Sequence, residues 1–178
     1  MLTNEKIAAI HANAVAHGFW EPGSEPTFGE YCALIHEEIS EAFSAWRNGE
    51  PDEYVDDNGK PQGVWVELAD VAIRIGDLFG AMEAELHSDE SEFIEYYSDI
   101  RQAVVDEPNL SFAEFSAMLH GFVSEYRANK SEHNAIELLT TVICIYARAE
   151  LENIDLDAII DRKCAYNATR PWRHGKKM

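Results

Sequence analysis

The chain has no apolar run approaching the ~18 residues that would suggest a membrane span, and no charged, apolar and small-residue succession typical of a secretory leader. Both absences predict a cytoplasmic protein that does not enter membranes. Cysteine is scarce: Cys32, Cys144 and Cys164 are scattered and odd in number, so no disulfide framework is expected and they read as reduced packing residues. Cations are few, 14 Lys and Arg against 33 Asp and Glu, for a net charge of −19. A field of that sign repels nucleic-acid backbones and anionic lipid, so neither is expected as a partner. No long stretch alternates polar and apolar with period two, which argues against a sheet.

Instead, apolar residues recur at three- and four-residue spacing along almost the whole chain, predicting an all-α protein of one domain spanning residues 1–178. The expected helices are Asn4–Gly18, Phe28–Asn48, Val64–Leu86, Asp89–Asp106, Phe112–Lys130, Glu132–Glu152 and Leu156–Ala165. Thr27-Phe-Gly-Glu30 and Ser111-Phe-Ala-Glu114 are capping-box patterns. Glu21–Pro26 and Gly49–Gly63, rich in Pro, Gly and Asp, read as loops.

The two capping boxes reveal an internal repeat. At an offset of 84, Phe28, Glu30, Ile35, His36, Ile39, Ser40 and Glu41 align with Phe112, Glu114, Leu119, His120, Val123, Ser124 and Glu125. At an offset of 70, Glu67, Leu68 and Ile75 align with Glu137, Leu138 and Ile145. The difference of fourteen residues places an extra loop in the first half, around Glu50–Gly63. Two duplicated helical hairpins, 28–86 and 112–152, are therefore expected to form a four-helix-bundle core with accessory helices around it.

The hairpins differ in their acids. The first carries Glu38 and Glu41, then Glu67 and Asp70, each pair spaced i, i+3 on one helix face. In the second, Phe122 and Thr140 stand where Glu38 and Asp70 would be, so one intact acidic site per chain is expected. The stripe Leu34, Glu38, Glu41, Ala45 predicts both acids of the first helix on its apolar face. From Val64 to Phe79 the next helix is apolar except for Glu67, Asp70, Arg74 and Asp77, again one stripe. Buried carboxylates crowded together require cations. Arg74 offers a salt-bridge partner, but one arginine does not balance four or five acids. The oxygen-only set points to a hard divalent ion, Mg²⁺ or Mn²⁺. A ferritin-like di-iron centre would need Glu-x-x-His pairs, and none of the seven histidines has Glu three residues before it.

From Arg162 to Met178 there are six basic residues and no acid. An acidic body with a basic segment at 156–178 suits a phosphate ligand held between metal and tail; a solvated tail is the simpler alternative.

These residues resemble the all-α nucleoside triphosphate pyrophosphohydrolases, the MazG-like, dCTPase and dimeric dUTPase group. The resemblance lies in Glu38-Ile-Ser-Glu41, 25 intervening residues and Glu67-Leu-Ala-Asp70, together with the ending Lys163, Tyr166-Asn167 and Arg170-Pro-Trp-Arg173-His-Gly-Lys176. It implies Mg²⁺-dependent hydrolysis of a (d)NTP to the monophosphate and pyrophosphate. Glu38, Glu41, Glu67 and Asp70 would then serve as metal ligands and catalytic carboxylates, and Lys163, Tyr166, Asn167, Arg170 and Arg173 as substrate contacts. It also implies a homodimer with a nucleotide as its partner. Asn13, Phe19, Trp20 and Trp46 would either shape a base pocket or pack in the core. Hydrolysis of an alarmone such as ppGpp, or a non-catalytic acidic interaction protein on the same fold, are the other readings.

Overall fold

The computed structural model describes residues 1–23, 25–84, 86, 91–107, 109–129 and 135–175. Helix α1 spans Asn4–Ala16, α2 Phe28–Asn48, α3 Val64–Ala81, α4 Ser91–Val105, α5 Phe112–Asn129, α6 Ile136–Leu151 and α7 Leu156–Asn167, followed by a 3₁₀ turn at Trp172–Gly175. The fold is all-α, as the periodicity predicts. The predicted bounds at Asp89, Lys130 and Glu132 lie outside the described residues, as do Lys176 and Lys177 of the basic tail.

The helix ends follow from local chemistry. Thr27 and Glu30 form the expected reciprocal capping box on α2, and Gly49 closes that helix with a left-handed φ of 70°. Ser111 and Glu114 exchange the same two bonds at the start of α5. Helix α3 ends at Ala81 and not at Leu86, while α7 runs two residues past the predicted Ala165.

The segment Gly49–Gly63, expected to be a loop, contains a small antiparallel hairpin, β1 (Tyr54–Val55) and β2 (Pro61–Gln62). The Asp56 carboxylate holds its turn by accepting from the Asn58 and Lys60 amides at 2.8 and 2.9 Å. The hairpin hands the chain directly to α3: the Val64 and Trp65 amides bond to the Pro51 and Asp52 carbonyls. This close approach requires glycine at 63, where φ is 120° and a Cβ would lie 2.6 Å from the Pro51 oxygen.

Helix α2 packs on α3 and α5, α5 on α6, and α3 on α6, which closes a four-helix core. The aligned pairs Ile35/Leu119, Ile39/Val123, Leu68/Leu138 and Ile75/Ile145 are all fully buried. His36 and His120, 84 residues apart, meet with their Nδ1 atoms 2.8 Å from each other. Equivalent residues of two related halves touch each other only on the axis that relates them, so this contact fits a pseudo-two-fold axis between α2 and α5. Ser40 and Ser124 repeat the symmetry, each donating to the carbonyl of its own histidine at 2.8 Å. Outside the core, α1 and α7 cover α3, and α4 covers α6.

Candidate metal centre

Helix α3 is buried along most of its length, because α1, α2, α6 and α7 all pack on it. Its one charged stripe nevertheless has an outlet. Glu67, Asp70, Arg74 and Asp77 line a cavity of about 220 Å³, together with Glu38 and Glu41 of α2, Lys60 of the hairpin, and Lys163, Asn167 and Arg170 of the C-terminal segment. Asn13 and Phe19 also line it.

Glu38, Glu67 and Asp70 each bring one carboxylate oxygen to within 4.8 Å of the other two. Oxygens around one hard cation stand about 3–4 Å apart at Mg²⁺ bond lengths, so small side-chain rotations suffice for this oxygen-only donor set to hold such an ion. Glu38 and Glu67 are buried. Glu41 departs from the expectation: it lines the cavity but is exposed and stands outside the converging trio. The buried stripe of α2 runs through Ile35, Glu38, Ile39, Ala42 and Ala45, and Leu34 and Glu41 fall beside it. An i, i+3 step turns about 300° around a helix, and that 60° shortfall carries Glu41 out of the core face.

Two cations already serve the cluster. Arg74 donates from Nε to Glu38 Oε1 at 3.1 Å, with Nη2 also 3.1 Å from that oxygen. Lys163, 2% exposed, places Nζ 2.7 Å from Asp70 Oδ2. Lys163 therefore enters the carboxylate cluster itself, where the sequence pattern suggested only a phosphate contact. Burial, reinforced by the charge on Asp70, pushes the carboxyls of Glu38 and Glu67 up to about 7; Arg74 partly offsets this at Glu38, and Lys163 and Lys60 do so at Glu67. Burial works against the Lys163 ammonium, but attraction to Asp70, Glu67 and Glu38 outweighs it and holds the lysine above its ordinary value.

Of the other expected contacts, Asn167 is buried at the cavity wall and its Oδ1 has no hydrogen-bond partner among the described residues. Arg170 lines the same wall, with no guanidinium bond or ion pair among the described residues. Tyr166 is half-buried on α7 but does not line the cavity. Arg173 turns away from the cavity: its Nε donates to the Gly18 carbonyl at 3.1 Å, and its Nη2 lies 3.3 Å from Glu21. This ties the C-terminal segment to the end of α1.

Trp20 is tied to the buried Asp77. It stacks on Tyr31 and donates to Asp77 Oδ1 at 2.9 Å, and Asp77 also receives His11 at 2.8 Å and the Tyr31 hydroxyl. Trp46 lies elsewhere, stacked between Phe43 and Phe112. Lys60 is the site residue that sequence reasoning missed. It comes from a turn with no periodicity, and only the fourteen-residue excess of the first half marked its segment. No protein-family model, curated protein or solved structure matches the chain.

Proposed function

We propose that the chain is a Mg²⁺-dependent nucleoside triphosphate pyrophosphohydrolase, converting a (d)NTP and water to a (d)NMP and pyrophosphate. The observation that carries the proposal is the convergence of Glu38, Glu67 and Asp70 in a cavity bordered by Lys163, Arg170 and the unpartnered Asn167 oxygen. The similarity of the two acid pairs and the basic ending to the all-α pyrophosphohydrolases directs this geometry towards nucleotides and supports a cytoplasmic homodimer.

Glu38, Glu67 and Asp70 would hold the metal, with Glu41 at the margin. A bound Mg²⁺, or Mn²⁺ in the same oxygen set, supplies charge neutralisation for the phosphates and acidifies a coordinated water. The chain contributes the rest. Without metal, burial raises the carboxyls of Glu38 and Glu67 to about 7, so loading the site near neutral pH would displace protons from them. Arg170 presents a guanidinium fork suited to phosphate oxygens. Lys163, paired with Asp70 at the cavity wall, would border both the metal ligands and the phosphate chain.

The Arg74–Glu38 and Lys163–Asp70 pairs also favour a second reading, because they partly neutralise the cluster without metal. On that reading the chain is a non-catalytic acidic interaction protein. Pyrophosphate release from a panel of ribo- and deoxynucleoside triphosphates, with ppGpp alongside, separates the two. The enzyme reading expects Mg²⁺-dependent turnover of at least one compound, and a loss of roughly 100-fold or more in Glu38→Gln. Absence of turnover across the panel, with no Mg²⁺-dependent thermal stabilisation, overturns it in favour of the interaction protein.

A further inference from the structure

The fourteen-residue excess of the first half is the segment that places a cation over the acidic cavity. Lys60 sits at the end of the hairpin turn, and both of its backbone polar groups are fixed: its amide donates to the Asp56 carboxylate at 2.9 Å, and its carbonyl accepts from the Asp56 amide at 3.0 Å. Lys60 lines the cavity together with Glu67. The hairpin is also tied to α7. Arg162 makes a two-pronged contact with Glu53, Nε to Oε1 at 2.7 Å and Nη2 to Oε2 at 2.5 Å, and Arg162 directly precedes Lys163. Lys60 is thus joined through one clamp to the helix that carries Lys163 and Asn167.

Two features of the cavity call for a ligand beyond a metal ion. Asn167 Oδ1 is a buried acceptor without a partner among the described residues. Lys60 and Arg170 line the cavity and form no side-chain ion pair among the described residues, whereas Lys163 is spent on Asp70. Cations beyond those the carboxylates use suit an anion with several negative oxygens and spare hydroxyl or amide donors.

We propose that Lys60 is a substrate-contacting residue which, with Arg170, grips the phosphate chain of a nucleotide, and that Arg162–Glu53 is the positioning pair that holds Lys60 there. This rests on the nucleotide reading of the same cavity. The hairpin is then the element that separates the working half of the repeat from its counterpart, since a metal cluster without it would lack a phosphate clamp on the α2–α3 side.

Calorimetric titration with Mg²⁺ alone, and with imidodiphosphate in saturating Mg²⁺, tests the assignment. Lys60→Gln is expected to bind imidodiphosphate about tenfold more weakly, the scale of one charge-assisted contact, and Mg²⁺ alone no more weakly than wild type, because a like charge has been removed. Lys60→Arg is expected to retain binding, which shows that the loss in Lys60→Gln is not one of folding. Arg162→Gln is expected to weaken imidodiphosphate binding in the wild-type background and to add nothing in Lys60→Gln. Wild-type binding with an unchanged Lys60→Gln overturns the role of Lys60 alone, and additive losses overturn the clamp. A wild-type chain that binds Mg²⁺ but no imidodiphosphate overturns the nucleotide reading and this inference with it.

Discussion

Glu38 and Glu67 titrate near pH 7 because they are buried and because Asp70 stands beside them. Without metal, the folded chain therefore holds protons that the unfolded chain releases near pH 4.5. The contribution of these two groups to stability is present in acid and is lost as pH rises towards about 7. A divalent ion held by the same oxygens would compete with those protons and bind best once they have left. The thermal shift produced by saturating Mg²⁺ is thus expected to be small at pH 5 and to reach roughly 5 °C or more by pH 8, as read by scanning calorimetry. In Glu38→Gln/Glu67→Gln the shift is expected to vanish at every pH; a pH-independent shift in wild type contradicts the raised carboxyls of Glu38 and Glu67. At this scale the sequence revealed three of the four acids, since i, i+3 spacing survives folding. It misplaced Glu41 because that spacing fixes a residue only to within 60° of the stripe. It could not reveal Lys60, whose position depends on a turn closing back over another element.

Between elements, the most informative contact is His36 against His120, where α2 meets α5. Burial depresses both imidazoles, and at His120 the neighbouring His36 adds to the effect. A depressed histidine stabilises the fold above its unfolded value of 6.5, and that stability is lost as pH falls. This trend opposes the one at Glu38 and Glu67, so the two must be separated by substitution. Urea unfolding without metal is expected to show wild type losing roughly 1 kcal/mol more than His36→Gln/His120→Gln between pH 8 and pH 5, with allowance for solvent at half-buried rings. Equal losses would mean that burial does not depress the two rings. The equivalence of His36 and His120 was legible in the sequence, because the apolar positions around them match; that the two rings meet was not. The use of the accessory helices was not. Helix α4 covers α6, and Tyr96 lies 2.5 Å from the Thr140 hydroxyl at the place corresponding to Asp70. Helices α1 and α7 cover α3 but leave a cavity above its acids. Local periodicity says which face of a helix is buried; it does not say which neighbour buries it.

For the whole molecule, one chain supplies all four helices of the core. The described walls of the cavity are α1, α2, the β1–β2 hairpin, α3 and the C-terminal segment. The second hairpin supplies the remaining two helices of the core, a role that a partner subunit would fill for a single-hairpin chain. Its own acids do not rebuild the site. Glu125 is exposed, Glu137 accepts from Asn129 at 2.8 Å, and Tyr96 occupies the place beside Thr140. Among the described residues, Glu38, Glu67 and Asp70 form the one group of three converging ligands. Each chain is therefore expected to carry its own site in a dimer as in a monomer. Titration with imidodiphosphate in saturating Mg²⁺ is accordingly expected to saturate at one ligand per chain. Its affinity is expected to stay the same at concentrations where sedimentation velocity finds monomer and where it finds dimer. A stoichiometry of two per chain would mean that the second hairpin still binds. A stoichiometry of one half, or affinity lost on dilution to monomer, would mean that the cavity is completed across a subunit boundary. Those outcomes would place the working unit in the dimer, and the duplicated bundle would no longer account for the site.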